Sequence, residues 1–124
     1  MKIISTINAP KAIGPYSQGI IAGNLIFTSG QIPLKPNGEF LDSDIKEQTK
    51  QVLENLSNVL KSANSSLDSV VKTVVFLADM EDFAAMNEVY ESYFKDNKPA
   101  RSTVSVKELP RKAKVEIECV ALVK

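Results

Sequence analysis

The spacing of apolar and polar positions changes several times along the chain, and each change marks an element. Helical spacing is clearest in the middle, where Ile45, Thr49, Val52, Leu53, Leu56, Val59, Leu60 and Ala63 fall on one stripe, as an amphipathic helix requires. Asp44, with Glu47 three residues later, supplies an N-cap for it. A second stripe of Phe83, Met86, Tyr90 and Phe94 predicts a helix over about Asp82–Phe94, with Asp79 as its cap and Lys98-Pro99 as its stop. Shorter runs predict strands at Lys2–Ile7, Ser17–Ala22, Leu25–Ser29, Val70–Ala78, Arg101–Lys107 and Lys114–Val123. Gly23-Asn24 suits a tight hairpin between the second and third of these, and Pro33, Pro36, Asn37 and Gly38 break the chain before the first helix. The order βββαβαββ predicts an α+β fold, with two helices on one face of a mixed sheet.

Two helices leave the other face of such a sheet bare. The strand Val70–Leu77 is apolar on both faces at its end, so a cover is needed that the chain itself does not supply. Association of identical copies is the expected answer. With 124 residues, no repeat and no linker-like stretch, the expected organisation is a single domain over residues 1–124.

Composition then narrows the chemistry. Lys and Arg number 15 and Asp and Glu number 15, for a formal net charge of zero, which offers nucleic acid or anionic lipid no bulk attraction. No apolar run approaches the roughly 18–20 residues of a membrane span, and Met1 to Thr6 carries no secretion signal. The single cysteine, Cys119, forbids an internal disulfide and fits a reducing, cytoplasmic setting. Histidine is absent altogether. That excludes Ser-His-Asp and Cys-His nucleophile systems and histidine-ligated zinc. Proton chemistry, if present, must run on carboxylates, hydroxyls, lysine, backbone or water.

The last strand carries the most telling pattern. Val115, Ile117, Cys119, Ala121 and Val123 alternate onto one face, while Glu116, Glu118, Val120 and Leu122 share the other. Carboxylates among apolar neighbours fit either a partly enclosed site or a solvated rim. If Arg101–Lys107 and Lys114–Val123 close as a hairpin, Thr103 falls opposite Glu118 and Ser105 opposite Glu116, with Arg101 one diagonal step from Glu118. Such a patch could hold a carboxylate on the arginine fork and water on the glutamate; the plain alternative is an Arg101–Glu118 salt bridge. Asn87 interrupts the apolar stripe of the second helix and needs a partner, backbone or ligand. Cys119 reads as a small core residue. Lys107, Arg111, Lys112 and Lys114 read as a solvated hairpin tip.

These residues also sit in familiar motifs. Gly14-Pro15-Tyr16-Ser17-Gln18, Ser29-Gly30-Gln31-Ile32-Pro33, Asn87-Glu88-Val89-Tyr90 with Tyr93-Phe94, Pro99-Ala100-Arg101-Ser102-Thr103-Val104, and Leu109-Pro110 before Val115-Glu116-Ile117-Glu118 together resemble the Rid (reactive intermediate deaminase) family over nearly the whole chain. The resemblance implies a chorismate-mutase-like fold and a homotrimer with a central barrel and ligand clefts between subunits. It also implies hydrolysis of 2-imino acids or enamines, such as 2-iminobutanoate and 2-iminopropanoate, to 2-keto acids and ammonia, with no metal or organic cofactor. Carried over position by position, Arg101 matches the arginine that grips the substrate carboxylate, and Glu118 the glutamate that activates water. Gly30 and Thr103 would contact substrate or water through backbone, with Ser29, Tyr16 and Asn87 lining the cleft. Thr103 stands where many members carry cysteine. The rival expectations are an endoribonuclease that inhibits translation, and a non-catalytic binding or protein-protective module.

Overall fold

The computed structural model describes residues 1–124. Its elements run β1 (Lys2–Ile4), β2 (Gly19–Ala22), β3 (Leu25–Thr28), α1 (Ile45–Ser62), β4 (Val70–Leu77), α2 (Phe83–Tyr93), β5 (Ala100–Ser105) and β6 (Val115–Leu122). Each lies within its predicted span or within a residue of it. Asp44 caps α1 as expected, its carboxylate accepting the Glu47 N–H at 2.9 Å. Asp79 does not cap α2. It accepts the Glu81 N–H instead and starts a single 3₁₀ turn, Met80–Asp82, that leads into the helix.

The six strands form one sheet in the order β1-β2-β3-β6-β4-β5. All neighbours are antiparallel except β4 and β5, which run parallel. This overturns the expected final hairpin: β4 lies between β5 and β6, so Thr103 pairs with Val75, and Glu118 pairs with Val74 on its other side. Burial explains the choice. Four of the eight β6 residues (Val115, Ile117, Cys119 and Ala121) are buried, and a strand so apolar gains most with a neighbour on each side. No residue of β5 is buried, and a strand so exposed belongs at an edge.

Both helices pack on one face. Val52, Leu53, Leu56, Val59 and Leu60 of α1 and Met86 and Tyr90 of α2 meet Ile26, Val75, Leu77, Val115, Ile117, Cys119 and Ala121 of the sheet in one core. Truncating a fully buried leucine such as Leu56 to alanine would cost roughly 2–5 kcal/mol. Buried Thr73 is satisfied by Tyr90, their hydroxyls 2.7 Å apart.

The opposite face carries Ile3, Ile20, Phe27, Val120, Val74, Phe76 and Val104, aligned by register. Nothing in the chain covers it, and Ile3, Phe27, Val104 and Leu122 stand exposed there. Lys72, Ser102, Glu116 and Glu118 share this face by register, so apolar side chains are interspersed with polar ones, as on surfaces that proteins use for association.

The pairing of β3 with β6 is irregular where the two strands part. Phe27 pairs with Val120, but Gln31 pairs with Ile117: four steps on one chain against three on the other. The extra residue is a bulge at the end of β3. Its hydrogen bonds are kept by Thr28, whose hydroxyl accepts the Cys119 N–H at 3.0 Å, and by the Gln31 N–H, which donates to Ile117 at 2.9 Å.

Candidate active site

The bulge turns Ser29 and Gly30 toward the uncovered face, beside Glu116. A side chain at position 30 would drive its Cβ into Oε2 of Glu116, so the carboxylate occupies space that only a glycine leaves free. Ser29 is tied down on both sides: its N–H donates to the Gln18 carbonyl at 3.0 Å and its hydroxyl to the Ser17 carbonyl at 2.5 Å. Around this floor lies a cavity of about 360 Å³, walled by Pro10, Lys11, Ala12, Tyr16, Gln31 and Pro110 among others. Within it, burial holds the Glu116 carboxyl above the usual carboxylate range, and the negative charge of nearby Glu118 pushes it further. A carboxylate poised in that way is the common setting of a general base.

Glu118 itself is not part of the cavity wall. It lies two residues along the same face, opposite Val74. The resemblance gave the water-activating role to Glu118; the cavity holds Glu116.

Arg101 lies elsewhere. It pairs with Thr73, which pairs in turn with Cys119, and both of these are buried against the helices. Arg101 therefore projects from the helix side of the sheet, whereas Glu116, aligned with Phe76, projects from the uncovered side. The expected Arg101–Glu118 patch does not form, and neither of the chain's two ion pairs involves Arg101. Instead α2 holds the guanidinium. Nη1 donates to Oδ1 of Asn87 at 2.6 Å, and the guanidinium carbon sits 4.7 Å from the Tyr90 ring centroid and 5.5 Å from that of Phe83. The partner that Asn87 requires is thus Arg101. With one corner of its fork engaged, the guanidinium keeps further donors toward a groove walled by Tyr90, Glu91, Phe94, Lys98 and Pro99.

Thr103 shares the helix-side face with Arg101, two residues along β5, and its hydroxyl is buried without a hydrogen-bond partner. Cys119 is buried in the core, its thiol raised to about 12 by burial, which leaves no reactive thiolate at neutral pH. Among the basic residues expected at a solvated tip, Lys114 instead reaches the Ser43 carbonyl at 3.0 Å and Arg111 lies over the Phe40 ring. No cluster of three or more His, Cys, Asp or Glu is placed to hold a metal, and no helix is long and apolar enough to cross a membrane.

The predicted site residues thus fall into two groups: Tyr16, Ser29 and Gly30 with Glu116 on one side of the sheet, and Arg101, Asn87 and Thr103 on the other. Sequence reasoning missed the place of Glu116 in the first group. The available signal was the glycine at position 30, but it means little without the bulge that aligns the two strands.

Known proteins share this fold and much of this sequence. The profile of the endoribonuclease L-PSP family matches residues 6–123. A RutC family protein of Pyrococcus horikoshii is 54% identical over 121 residues, covering 97% of this chain and 96% of its own. The 2-iminobutanoate/2-iminopropanoate deaminase of Mus musculus is 47% identical, covering 98% of this chain and 90% of its own. The crystal structure of E. coli TdcF with bound serine superposes with a TM-score of 0.95 at 43% identity, covering all of both chains. Such agreement in sequence, fold and length makes this chain a member of the Rid family, the group also described as endoribonuclease L-PSP or RutC proteins.

Proposed function

We propose that this chain hydrolyses 2-imino acids and their enamine tautomers, 2-iminobutanoate and 2-iminopropanoate among them, to 2-keto acids and ammonia. The observation that carries the reading is the state of Arg101: a guanidinium oriented by Asn87 and two aromatic rings and in no ion pair with a carboxylate of its own chain. A planar carboxylate is the ligand such a fork fits best. The name of the mouse relative supports the reaction.

The catalytic centre is shared between chains. Arg101 and Glu116 project from opposite faces of one sheet, so a small substrate can touch both only where a second copy brings its own half. The bare apolar face supports such an assembly, and a homotrimer with the sheets lining a central barrel satisfies it.

The chemistry needs no cofactor. Arg101 of one chain binds the substrate carboxylate. Glu116 of the neighbour takes a proton from water as its oxygen bonds to the protonated imine carbon. That proton then passes to the nitrogen, and as the C–N bond breaks and ammonia leaves, the Glu116 carboxylate so regenerated takes the hydroxyl proton and the carbonyl forms. The imine carbon is electrophilic enough that positioning and one base suffice. Glu118 acts only by its charge on Glu116. Tyr16, Ser29 and Gly30 line the water side, and Asn87 and Thr103 the carboxylate side.

The test is a coupled assay in which a pyridoxal-phosphate dehydratase generates 2-iminobutanoate or 2-iminopropanoate in situ. Faster disappearance of the imine on adding the chain is the expected result. Decay at the uncatalysed rate would refute the proposal, and RNA cleavage surviving rigorous purification would favour the endoribonuclease reading instead.

A further inference from the structure

The segment Lys11–Tyr16 walls the cavity over Glu116 and also borders a second hollow, lined by Ile3, Thr6 and Ile7 among others. Its attachment is unusually slight. The only hydrogen bond it makes is internal, from the Tyr16 N–H to the Gly14 carbonyl at 2.9 Å. Ile13 is 82% exposed, and Gly14 adopts φ +120°, a conformation that side chains rarely adopt. A strap of this kind keeps one position only if its ends are held.

Both ends are held by one residue. Gln18 is buried, and every hydrogen bond of its amide goes to the stretch before the strap. Oε1 accepts the Thr6 N–H at 2.7 Å, and Nε2 donates to the carbonyls of Pro10 at 2.8 Å, Thr6 at 3.0 Å and, more weakly, Ala9 at 3.4 Å. The Gln18 carbonyl meanwhile accepts the Ser29 N–H. One residue thus joins the entry of the strap, its exit two residues after Tyr16, and the floor that carries Gly30.

We infer that Gln18 is a positioning residue of the site, clamping the Lys11–Tyr16 strap so that Tyr16 and the cavity wall stand at a fixed distance from Gly30 and Glu116. The inference rests on the proposed site for its effect on turnover, but not for its geometry. Methionine fills the volume of glutamine and makes none of these hydrogen bonds, and alanine removes the clamp outright. In either variant the strap slackens, water enters and Glu116 loses part of its burial. The charged and titratable groups facing Glu116 (Glu118, and Lys11 and Tyr16 on the strap) keep their identities in both variants, so only their placement changes.

The experiment compares Gln18→Met and Gln18→Ala with Val70→Ala, a core truncation at the far end of β4 that lowers thermal stability without touching the cavity. The carboxyl carbon of Glu116 is titrated by NMR in each, and kcat/KM is measured in the coupled assay. In both Gln18 variants the Glu116 midpoint should fall toward the ordinary carboxylate range, and kcat/KM should drop roughly 10- to 100-fold, as misplacement of a site by about an ångström does. Val70→Ala should leave the midpoint unchanged. An unchanged midpoint in the Gln18 variants, or an equal shift in Val70→Ala, would overturn the clamp. The titration needs no substrate, so a shift confined to the Gln18 variants of a chain that hydrolyses no imine supports the clamp and sinks only the deaminase reading. If neither Gln18 variant folds, amide exchange in the unaltered chain decides. A Thr6 amide protected well above those of Ala12 and Ile13 supports the clamp, and one exchanging as fast as they do contradicts it.

Discussion

The two halves of the proposed site are built in opposite ways. The arginine half is made of side chains: Arg101 on an edge strand, oriented by Asn87, Phe83 and Tyr90 from one helix. The glutamate half is made largely of backbone. A bulge, a glycine and the carbonyls of Ser17 and Gln18 shape a pocket that one carboxylate enters. Binding can be entrusted to a solvent-reachable fork, because a carboxylate fits it from outside. A base must instead be desolvated and stationary, which requires main chain packed close around it. The difference teaches that the first half is sensitive to losing side chains, whereas the second is sensitive to gaining one as well.

Substitutions can break that contrast, and the largest effect belongs to the base. Glu116→Gln keeps the shape and removes the proton acceptor, so kcat should fall roughly 10²–10⁴-fold while a simple 2-keto acid still binds; full activity would return the role to Glu118. Arg101→Ala should act on the other parameter, weakening carboxylate binding by roughly 2–5 kcal/mol, read as a loss of 2-keto acid affinity in titration calorimetry. Arg101→Lys keeps the charge but not the fork, and should recover only part of that loss.

Smaller effects sharpen the same contrast. Gly30→Ala puts a methyl where Oε2 of Glu116 now lies, so the carboxylate must swing away. A drop in kcat of roughly tenfold or more is expected, with the melting temperature nearly unchanged because a flexible side-chain end can move. Glu118→Gln should leave kcat at its plateau and alter only the pH profile. Burial and the charge of Glu118 both raise the Glu116 carboxyl, and the base works only when ionised, so activity rises as pH climbs through that raised value. Removing the neighbouring charge lowers it, and the acid limb of the profile should move to lower pH. A plateau kcat that falls with Glu118→Gln would contradict the division of labour between the two glutamates.

The same division explains what could be read from the chain alone. Elements were legible because periodicity and caps act locally: the α1 stripe, the Asp44 cap and the Gly23-Asn24 hairpin all form where local spacing puts them. The arginine half was nearly legible too, since Arg101 and Asn87 belong to recognisable motifs and needed only to meet. Strand order was not legible. The exchange of a β5–β6 hairpin for a β5-β4-β6 arrangement is decided by burial summed over whole strands, and it moved Arg101 to the face opposite the glutamates. The choice between Glu116 and Glu118 was hidden for a related reason. They alternate identically along β6, and only the folded structure shows that the space left free at Gly30 is filled by the carboxylate of Glu116.

The central claim, that one site is assembled from the Arg101 half of one chain and the Glu116 half of another, is tested most directly by mixing. Arg101→Ala and Glu116→Gln chains, each inactive alone, are unfolded together, refolded as mixed oligomers and assayed for imine hydrolysis. In a ring of shared interfaces, random mixing gives intact sites at roughly a quarter of all positions, so activity should return to about a quarter of the unaltered rate. Recovery no greater than the sum of the two separate variants, in oligomers shown to contain both chains, would mean that both residues act from the same chain and would contradict the account.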